Sequence, residues 1–172
     1  MNNKVFKLID KLFLSSENSL TLKTLEKLFN VSIPFNGPHK FKFIELSQNR
    51  SRIKLPLIRK NKNHLGGMHA CAIATLGEYP AGLALIKCFG STSYRIVLKK
   101  IAVDYIKQGN TDLTGVVDFP KDEKERIKKE LNENQKSDIL VVTNILNAKE
   151  EVVAKVETTW QLKDWNAVSF KG

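Results

Sequence analysis

The apolar segment at residues 68–87 constrains the fold of this chain more than any other feature. It is rich in Ala, Leu and Ile, and Glu78 is the only charged side chain between Ala72 and Ile86. A helix that is apolar on every side has to be buried, so the remaining chain must wrap around it. Pro80 and Gly82 predict that this helix is kinked or broken into two pieces, because proline lacks an N–H.

The lone carboxylate of this segment, Glu78, is where we expect chemistry. Moving a charged group out of water is costly unless the group is paired, hydrated or used. Two interpretations are open: Glu78 takes part in catalysis, or it has a structural role. In the structural role it would cap the irregular backbone at Pro80 or pair with a lysine across a subunit interface.

Alternating polar and apolar residues predict the strands that surround this helix. Residues 41–46 and 52–57 alternate in this way and predict a β-hairpin with a tight connection at residues 48–50. Further strands are predicted at residues 94–106, 113–119, 138–146 and 152–162, with a bulge or exposed step at Lys99 and Lys100. A short charged helix starts after Pro120 and should lie on the surface. A single buried helix wrapped by about six strands is an α+β architecture.

Two helices are predicted before the first strand. Residues 4–14 and 19–29 carry apolar side chains at helical spacing, namely Val5, Phe6, Ile9, Leu12 and Phe13, then Leu22, Leu25, Leu28 and Phe29. Pro34, Gly37 and Pro38 end this part of the chain. We therefore predict a helical extension at residues 1–38 and a second domain at residues 39–172.

The net charge of +10 is concentrated near the N-terminus. Residues 1–62 hold 13 Lys and Arg against four Asp and Glu, including a cluster at Arg50, Arg52, Lys54, Arg59, Lys60 and Lys62. Such a region favours an anionic partner, although a solvated basic surface is an equally open interpretation. Nucleic acid is the least expected partner, because no aromatic residues are interleaved with the bases and no recognition motif is present.

Other features limit the class of protein. The uncharged runs are about fifteen residues long, too short to span a bilayer, and Lys7, Asp10 and Lys11 interrupt any signal-like segment. We expect a cytoplasmic protein. Cys71 and Cys88 lie too far apart on one helix to form a disulfide, and we expect both to be buried thiols. We expect no metal and no cofactor, because His64 and His69 have no ligand-like third partner.

The stretch before the buried helix reads Asn63-His64-Leu65-Gly66-Gly67-Met68-His69-Ala70-Cys71. A glycine pair lets the backbone approach a ligand at a helix start, where unpaired N–H groups and the helix dipole favour negative charge. With Gly77-Glu78 downstream, this pattern resembles the PaaI-type acyl-CoA thioesterases of the hotdog fold over about residues 40–165. It is closer still to a bacterial branch of thioesterase-like proteins with the pattern Asn-x-Asn-His-x-Gly-x-x-His-Ala, which runs here from Asn61 to Ala70. Asn63 stands six residues before His69, and Glu78 nine after it, as in the PaaI type. The chain departs from it in His69-Ala70-Cys71, where the family has His-Gly-Gly, and in the glutamate, where Asp is common.

The resemblance implies a hotdog fold, a homodimer or tetramer, and hydrolysis of acyl-CoA or acyl-carrier-protein thioesters. In that scheme, N–H groups near Ala70 stabilise the oxyanion, and Glu78 of the facing subunit activates water or attacks directly. Asn63 holds the water or the thioester, and His69 belongs to the same catalytic set, with a structural role also open. The substrate loop would comprise His64, Gly66, Gly67 and Cys71, and the basic segment would suit the phosphates of coenzyme A.

Two questions stay open in this scheme. The replaced glycines also suit a module of the same fold that binds acyl ligands without turnover. The apolar residues Leu76, Tyr79, Leu83 and Phe89 line an acyl tunnel or simply form the core.

Overall fold

The computed structural model describes residues 3–168, and side chains from residue 7 onward, so those of Val5 and Phe6 lie outside the described residues. Its four α-helices are α1 Asn3–Leu14, α2 Ser19–Ser32, α3 Ala70–Phe89 and α4 Lys121–Asn134. Its six strands are β1 Lys42–Leu46, β2 Arg50–Leu55, β3 Tyr94–Tyr105, β4 Leu113–Asp118, β5 Lys136–Leu146 and β6 Val152–Asp164.

The six strands form one curved, open antiparallel sheet in the order β1-β2-β4-β5-β6-β3. The long helix α3 packs across one face of this sheet and contacts all six strands. The predicted α+β architecture, with about six strands around one buried helix, is therefore confirmed, as is the hotdog fold that the resemblance implied.

Helix α3 is continuous from Ala70 to Phe89, so the expected break into two pieces is wrong, whereas the kink expected at Pro80 and Gly82 stays a prediction. Pro80 has no N–H to offer the carbonyl of Leu76. That carbonyl instead faces Gly115 of β4, where an added Cβ would lie only 2.7 Å from the oxygen. The sheet backbone therefore packs closely against the helix at the turn that lacks this hydrogen bond.

The strands depart from the predicted limits only at their ends. Strand β2 begins at Arg50 and ends at Leu55, because Pro56 cannot continue the ladder. The register of β3 against β6 shifts between Leu98 and Lys100, where a bulge was predicted. Helix α4 lies on the surface and buries only a narrow apolar stripe, formed by Ile127 and Leu131.

The two N-terminal helices share the core of the sheet. Phe13, Leu25 and Phe29 are buried in the same cluster as Ile53 and Leu76. Helix α2 packs on β1, whereas α1 packs on α3 and α2. The proposed division of the chain at residue 38 stays a prediction.

The end of α1 is attached to the end of α3 by two polar groups. The buried Lys87 ammonium of α3 donates a 2.6 Å hydrogen bond to the carbonyl of Phe13, at the C-terminus of α1. The Asp10 carboxylate accepts hydrogen bonds from the backbone and hydroxyl groups of Ser91 and Thr92. These contacts fix α1 across the turn that follows α3.

The two cysteines behave differently from each other. Both are free thiols, and Cys88 is partly buried. The expected burial of Cys71 is wrong, because this residue lies in the first turn of α3 and is exposed. Within residues 3–168, no helix is long and apolar enough to cross a membrane.

Candidate active site

The loop before α3 is held in place by Asn61, a residue that sequence analysis did not single out. Its side chain is fully buried. The amide nitrogen donates to the carbonyls of Pro56 (2.8 Å) and His39 (3.0 Å), and the amide oxygen accepts from His39 Nδ1 at 2.7 Å. The Asn61 carbonyl also accepts from the N–H of His69. The only signal in the sequence was the first Asn of the Asn-x-Asn-His pattern.

Asn63 shapes the turn that follows. Its side-chain oxygen accepts from the N–H of Leu65 at 2.9 Å, and its own N–H donates to the Gly67 carbonyl at 2.8 Å. Gly66 occupies the left-handed region at φ 85° inside this turn. The Asn63 amide nitrogen makes only a long contact of 3.4 Å to the Met68 carbonyl. The side-chain NH2 group is therefore the part of Asn63 that is left for a ligand.

Among the first three N–H groups of helix α3, that of Cys71 is occupied, and those of Ala70 and the buried Ala72 have no acceptor in the described part of the chain. His69 is the N-cap, and its Nδ1 accepts from the N–H of Cys71 at 3.1 Å. In the described part of the chain, the N–H of Ala70, the first helical residue, has no hydrogen-bond acceptor. An unpaired donor thus stands at the positive end of a 20-residue helix, where it can bind an anionic oxygen.

A cavity of about 350 Å³ opens beside this helix start. Three of the predicted site residues, Asn63, Gly67 and Ala70, line it together. The other lining residues are Leu65, Met68, Ile73, Tyr105, Ile106, Lys107, Gln108, Gly109 and Asn110. The remaining predicted residues, His64, Gly66, His69, Cys71 and Glu78, are not part of this lining. His64 is exposed on the outer side of the turn.

Tyr105, at the end of β3, is a second residue that sequence analysis missed. Its hydroxyl donates a 3.0 Å hydrogen bond to the carbonyl of Ala70 and so fixes the first turn of α3 against the sheet edge. Burial, with a smaller effect of Cys71, raises the pKa of Tyr105. No local sequence signal marks this contact, because its two partners lie 35 residues apart.

Glu78 lies on the side of α3 that the sheet does not cover. Gly77, the residue before it, packs against Val156 of β6. Glu78 shares the open side with other incompletely buried residues at helical spacing, namely Cys71, Ala74 and Thr75. Burial raises the pKa of Glu78, and no partner among residues 3–168 compensates for it. The carboxylate therefore does not cap the backbone at Pro80.

One chain does not bring Glu78 to the free N–H of Ala70. The two residues are eight positions apart in the helix, which corresponds to about 12 Å along the helix axis. A group that attacks a carbonyl must lie about 3 Å from it. Within one chain, a carbonyl bound at the Ala70 N–H would therefore lie far from Glu78, whose side chain would have to span much of this distance.

The residues Leu76, Tyr79, Leu83 and Phe89 are all buried in the two core clusters. This packing favours a role in the core over the lining of an acyl tunnel.

The basic segment divides into a neutralised half and a free half. Arg50, Arg52 and Lys54 pair with Asp118, Glu150 and Asp112, at 3.2, 3.3 and 2.9 Å. In the part of the chain that the structure describes, Arg59, Lys60 and Lys62 have no carboxylate within 4.0 Å. In the same part there is no group of three His, Cys, Asp or Glu side chains that could hold a metal ion.

The fold places this chain in the hotdog-fold class of proteins. The chain belongs to the family described as "Domain of unknown function (DUF4442)", whose model matches residues 22–162. No curated protein matches it.

Solved structures from bacteria share the fold. PA5026 of Pseudomonas aeruginosa, described as a probable thioesterase of unknown function, is 22% identical with a TM-score of 0.75, covering 83% of this chain and 95% of its own. Thioesterase HI1161 of Haemophilus influenzae is 12% identical with a TM-score of 0.67, covering 86% and 94%. SAV0944 of Staphylococcus aureus, described as a thioesterase, is 16% identical with a TM-score of 0.62, covering 76% and 98%. At these identities the likeness shows the fold alone.

Proposed function

We propose that this protein hydrolyses acyl thioesters, carried by coenzyme A or by an acyl-carrier protein, as a homodimer with composite active sites. The proposal rests on one observation: helix α3 carries two functional groups that each lack a partner among the described residues. Ala70 offers an N–H without an acceptor, and Glu78 offers a desolvated carboxylate without a partner. Two antiparallel copies of α3 would bring each group to the one it lacks.

The N–H of Ala70 would receive the thioester carbonyl. As water adds to the carbonyl carbon, negative charge develops on the oxygen, and a fixed donor at the helix start stabilises it. Cys71 contributes less, because its N–H already donates to His69 Nδ1. His69 thus acts here by shaping the helix start.

Glu78 of the other subunit would supply the base. Its carboxylate takes a proton from the attacking water, and the same proton then goes to the departing thiolate, so the products are a carboxylic acid and a thiol. Direct attack by the carboxylate, followed by hydrolysis of the resulting anhydride, is the variant route. The raised pKa of Glu78 makes it a stronger base than an exposed glutamate. The Asn63 amide would hold the water or the thioester.

An uncovered apolar surface supports the dimer. Strand β3 is at one edge of the sheet, and its residues that pair with buried positions of β6 stay partly exposed. Ile101 is 40% exposed and Tyr105 is 51% exposed, next to the open side of α3. A second copy that extends the sheet at β3 would cover these residues and enclose Glu78. Because both cysteines are free thiols, we also propose a cytoplasmic location.

The test uses two variants that each remove one group. Ala70→Pro deletes the N–H at a helical position that accepts proline, and His69 already has the extended conformation (φ −69°, ψ 139°) that a following proline requires. Glu78→Gln removes the base. With a panel of short, medium, long and aromatic acyl-CoAs, each variant should lose on the order of 10²-fold or more in kcat while staying folded.

Co-expression of the two variants distinguishes a composite site from a site within one chain. In a mixed dimer, one site carries both defects and the other carries neither, so activity should return to a substantial fraction of wild type. Mixed dimers as inactive as the separate variants would contradict the shared site. Unchanged activity in Glu78→Gln would contradict the assigned base.

A second function, acyl-ligand binding without turnover, is supported by the hydrogen bonds of Asn63. Its side-chain oxygen is used by the Leu65 N–H, which leaves only one side of the amide for a substrate. This function predicts saturable binding of acyl-CoA with no release of free thiol from any substrate of the panel.

A further inference from the structure

Three cations line a surface groove close to the loop that precedes α3. The groove has a volume of about 470 Å³, and its lining residues are Gly37, Pro38, Lys40, Ile58, Arg59 and Lys60. The lining contains no acidic residue. Within residues 3–168, none of the three cations has a carboxylate within 4.0 Å, whereas their neighbours Arg50, Arg52 and Lys54 are all paired.

Unpaired like charges around a concave surface concentrate positive potential there. Lysine and arginine side chains in this arrangement bind phosphate groups by charge-assisted hydrogen bonds. A volume of this size suits a compact ligand with several phosphates. An extended acidic protein surface would instead meet the groove only at its rim.

The groove is connected to the candidate active site through one buried residue. Asn61 follows Lys60 directly, and its side chain binds the carbonyl of His39, next to Lys40. Its carbonyl accepts from the N–H of His69 at 2.8 Å. The path from Lys60 to Ala70 runs through Asn61, across this hydrogen bond to His69, and on to Ala70. Because each peptide step spans at most about 3.8 Å, the Cα atoms of Lys60 and Ala70 lie within roughly 14 Å of each other. A ligand with an extended arm can therefore reach from the groove to the helix start.

We propose that this groove binds the nucleotide phosphates of coenzyme A, so that the substrate is a coenzyme A thioester rather than a thioester on a carrier protein. The choice of a thioester rests on the proposed function, whereas the phosphate site rests on the groove itself. Adenosine 3′,5′-bisphosphate carries phosphates without a thioester and so probes the groove independently of any reaction.

The experiment compares two double charge reversals by calorimetry. Arg59→Glu with Lys60→Glu changes the groove, and Lys128→Glu with Lys129→Glu makes the same change of charge on the exposed side of α4. Adenosine 3′,5′-bisphosphate should bind the wild type and the α4 variant alike. It should bind the groove variant about tenfold more weakly or worse. Equal binding to all three proteins, or no binding to the wild type, would overturn the proposal.

Kinetics with one acyl group on three carriers then identifies the substrate. The ratio of kcat/KM for the coenzyme A thioester over the pantetheine thioester should fall about tenfold or more in the groove variant. A wild type that prefers the acyl-carrier protein, and treats coenzyme A and pantetheine thioesters alike, would refute the proposal and leave the thioesterase intact. If nothing is hydrolysed while bisphosphate binding still depends on Arg59 and Lys60, the result supports the phosphate site and contradicts the proposed reaction.

Discussion

Glu78 is the residue at which stability and the proposed function conflict. It sits in an otherwise apolar helix, beside the buried Gly77 and Tyr79, and no partner within the described residues offsets its desolvation. A folded-state pKa above the ordinary value means that the folded protein holds its proton more tightly than the unfolded chain does. Stability should therefore fall as pH rises from the ordinary glutamate pKa through the raised one.

The raised pKa of Glu78 predicts that Glu78→Gln stabilises the protein at neutral pH. The amide has no charge to desolvate, so Tm should rise by roughly 2–4 °C for each kcal/mol relieved. The gain should shrink below the ordinary glutamate pKa, where both proteins are neutral at this position. Scanning calorimetry from pH 4 to 8 measures it, with the exposed Glu157→Gln as the control. A lower Tm for Glu78→Gln at neutral pH would show that a favourable partner holds the carboxylate.

At the scale of elements, the sheet and its helix follow from local patterns, but their irregular points do not. Alternation located the first two strands and β-rich segments the other four, all to within a few residues, and a bulge or exposed step was predicted at Lys99 and Lys100. The close approach of Gly115 to the α3 turn at Pro80 joins residues 35 positions apart and carries no mark in the local pattern. The spacing pointed to Asn63 and Glu78 as candidates, but it carried no information on the 12 Å between Ala70 and Glu78, which led us to propose a site shared by two chains.

The attachment of α1 gives a prediction at this scale. Burial acts to raise the pKa of Asp10, but the hydrogen bonds from Thr92 and Ser91 outweigh it and hold the pKa below its usual value. A depressed pKa gives stability above the ordinary aspartate pKa that is lost as pH falls through the folded value. Asp10→Asn should cost about 2 kcal/mol at pH 7, measured by urea denaturation.

Two comparisons check the origin of this loss. The Asp10→Asn variant and the wild type should converge in stability at acid pH, where Asp10 is protonated in both the folded and the unfolded protein. The exposed Asp122→Asn, in the first turn of α4, should have a much smaller effect. An Asp10→Asn loss that stays constant with pH would contradict the role of the charge.

At the scale of the whole molecule, the two faces of the sheet leave different apolar residues exposed. Ile101 lies on the helix side of the edge strand β3, opposite the buried Thr158. Leu140, on β5, lies on the other side and is 57% exposed. The proposed dimer uses the first surface, whereas a dimer of dimers would use the second.

This difference predicts opposite results for two matched substitutions. Ile101→Lys should yield a monomer by light scattering and abolish hydrolysis, because a charge enters the surface that a second copy would cover. Leu140→Lys should keep both the dimer and the activity, and at most split a tetramer. A dimer that survives Ile101→Lys with full activity would exclude this edge as the interface.

In the proposed composite site, the separation of Ala70 and Glu78 along one helix would also make the reaction rate depend on the amount of protein present. A monomer would hold two halves of a catalyst that never meet, so dilution below the dissociation constant of the dimer should lower the activity per chain. Under those conditions the activity per chain rises in proportion to protein concentration and levels off only when dimers dominate. A change in expression level would then change the total activity by more than the change in the number of chains.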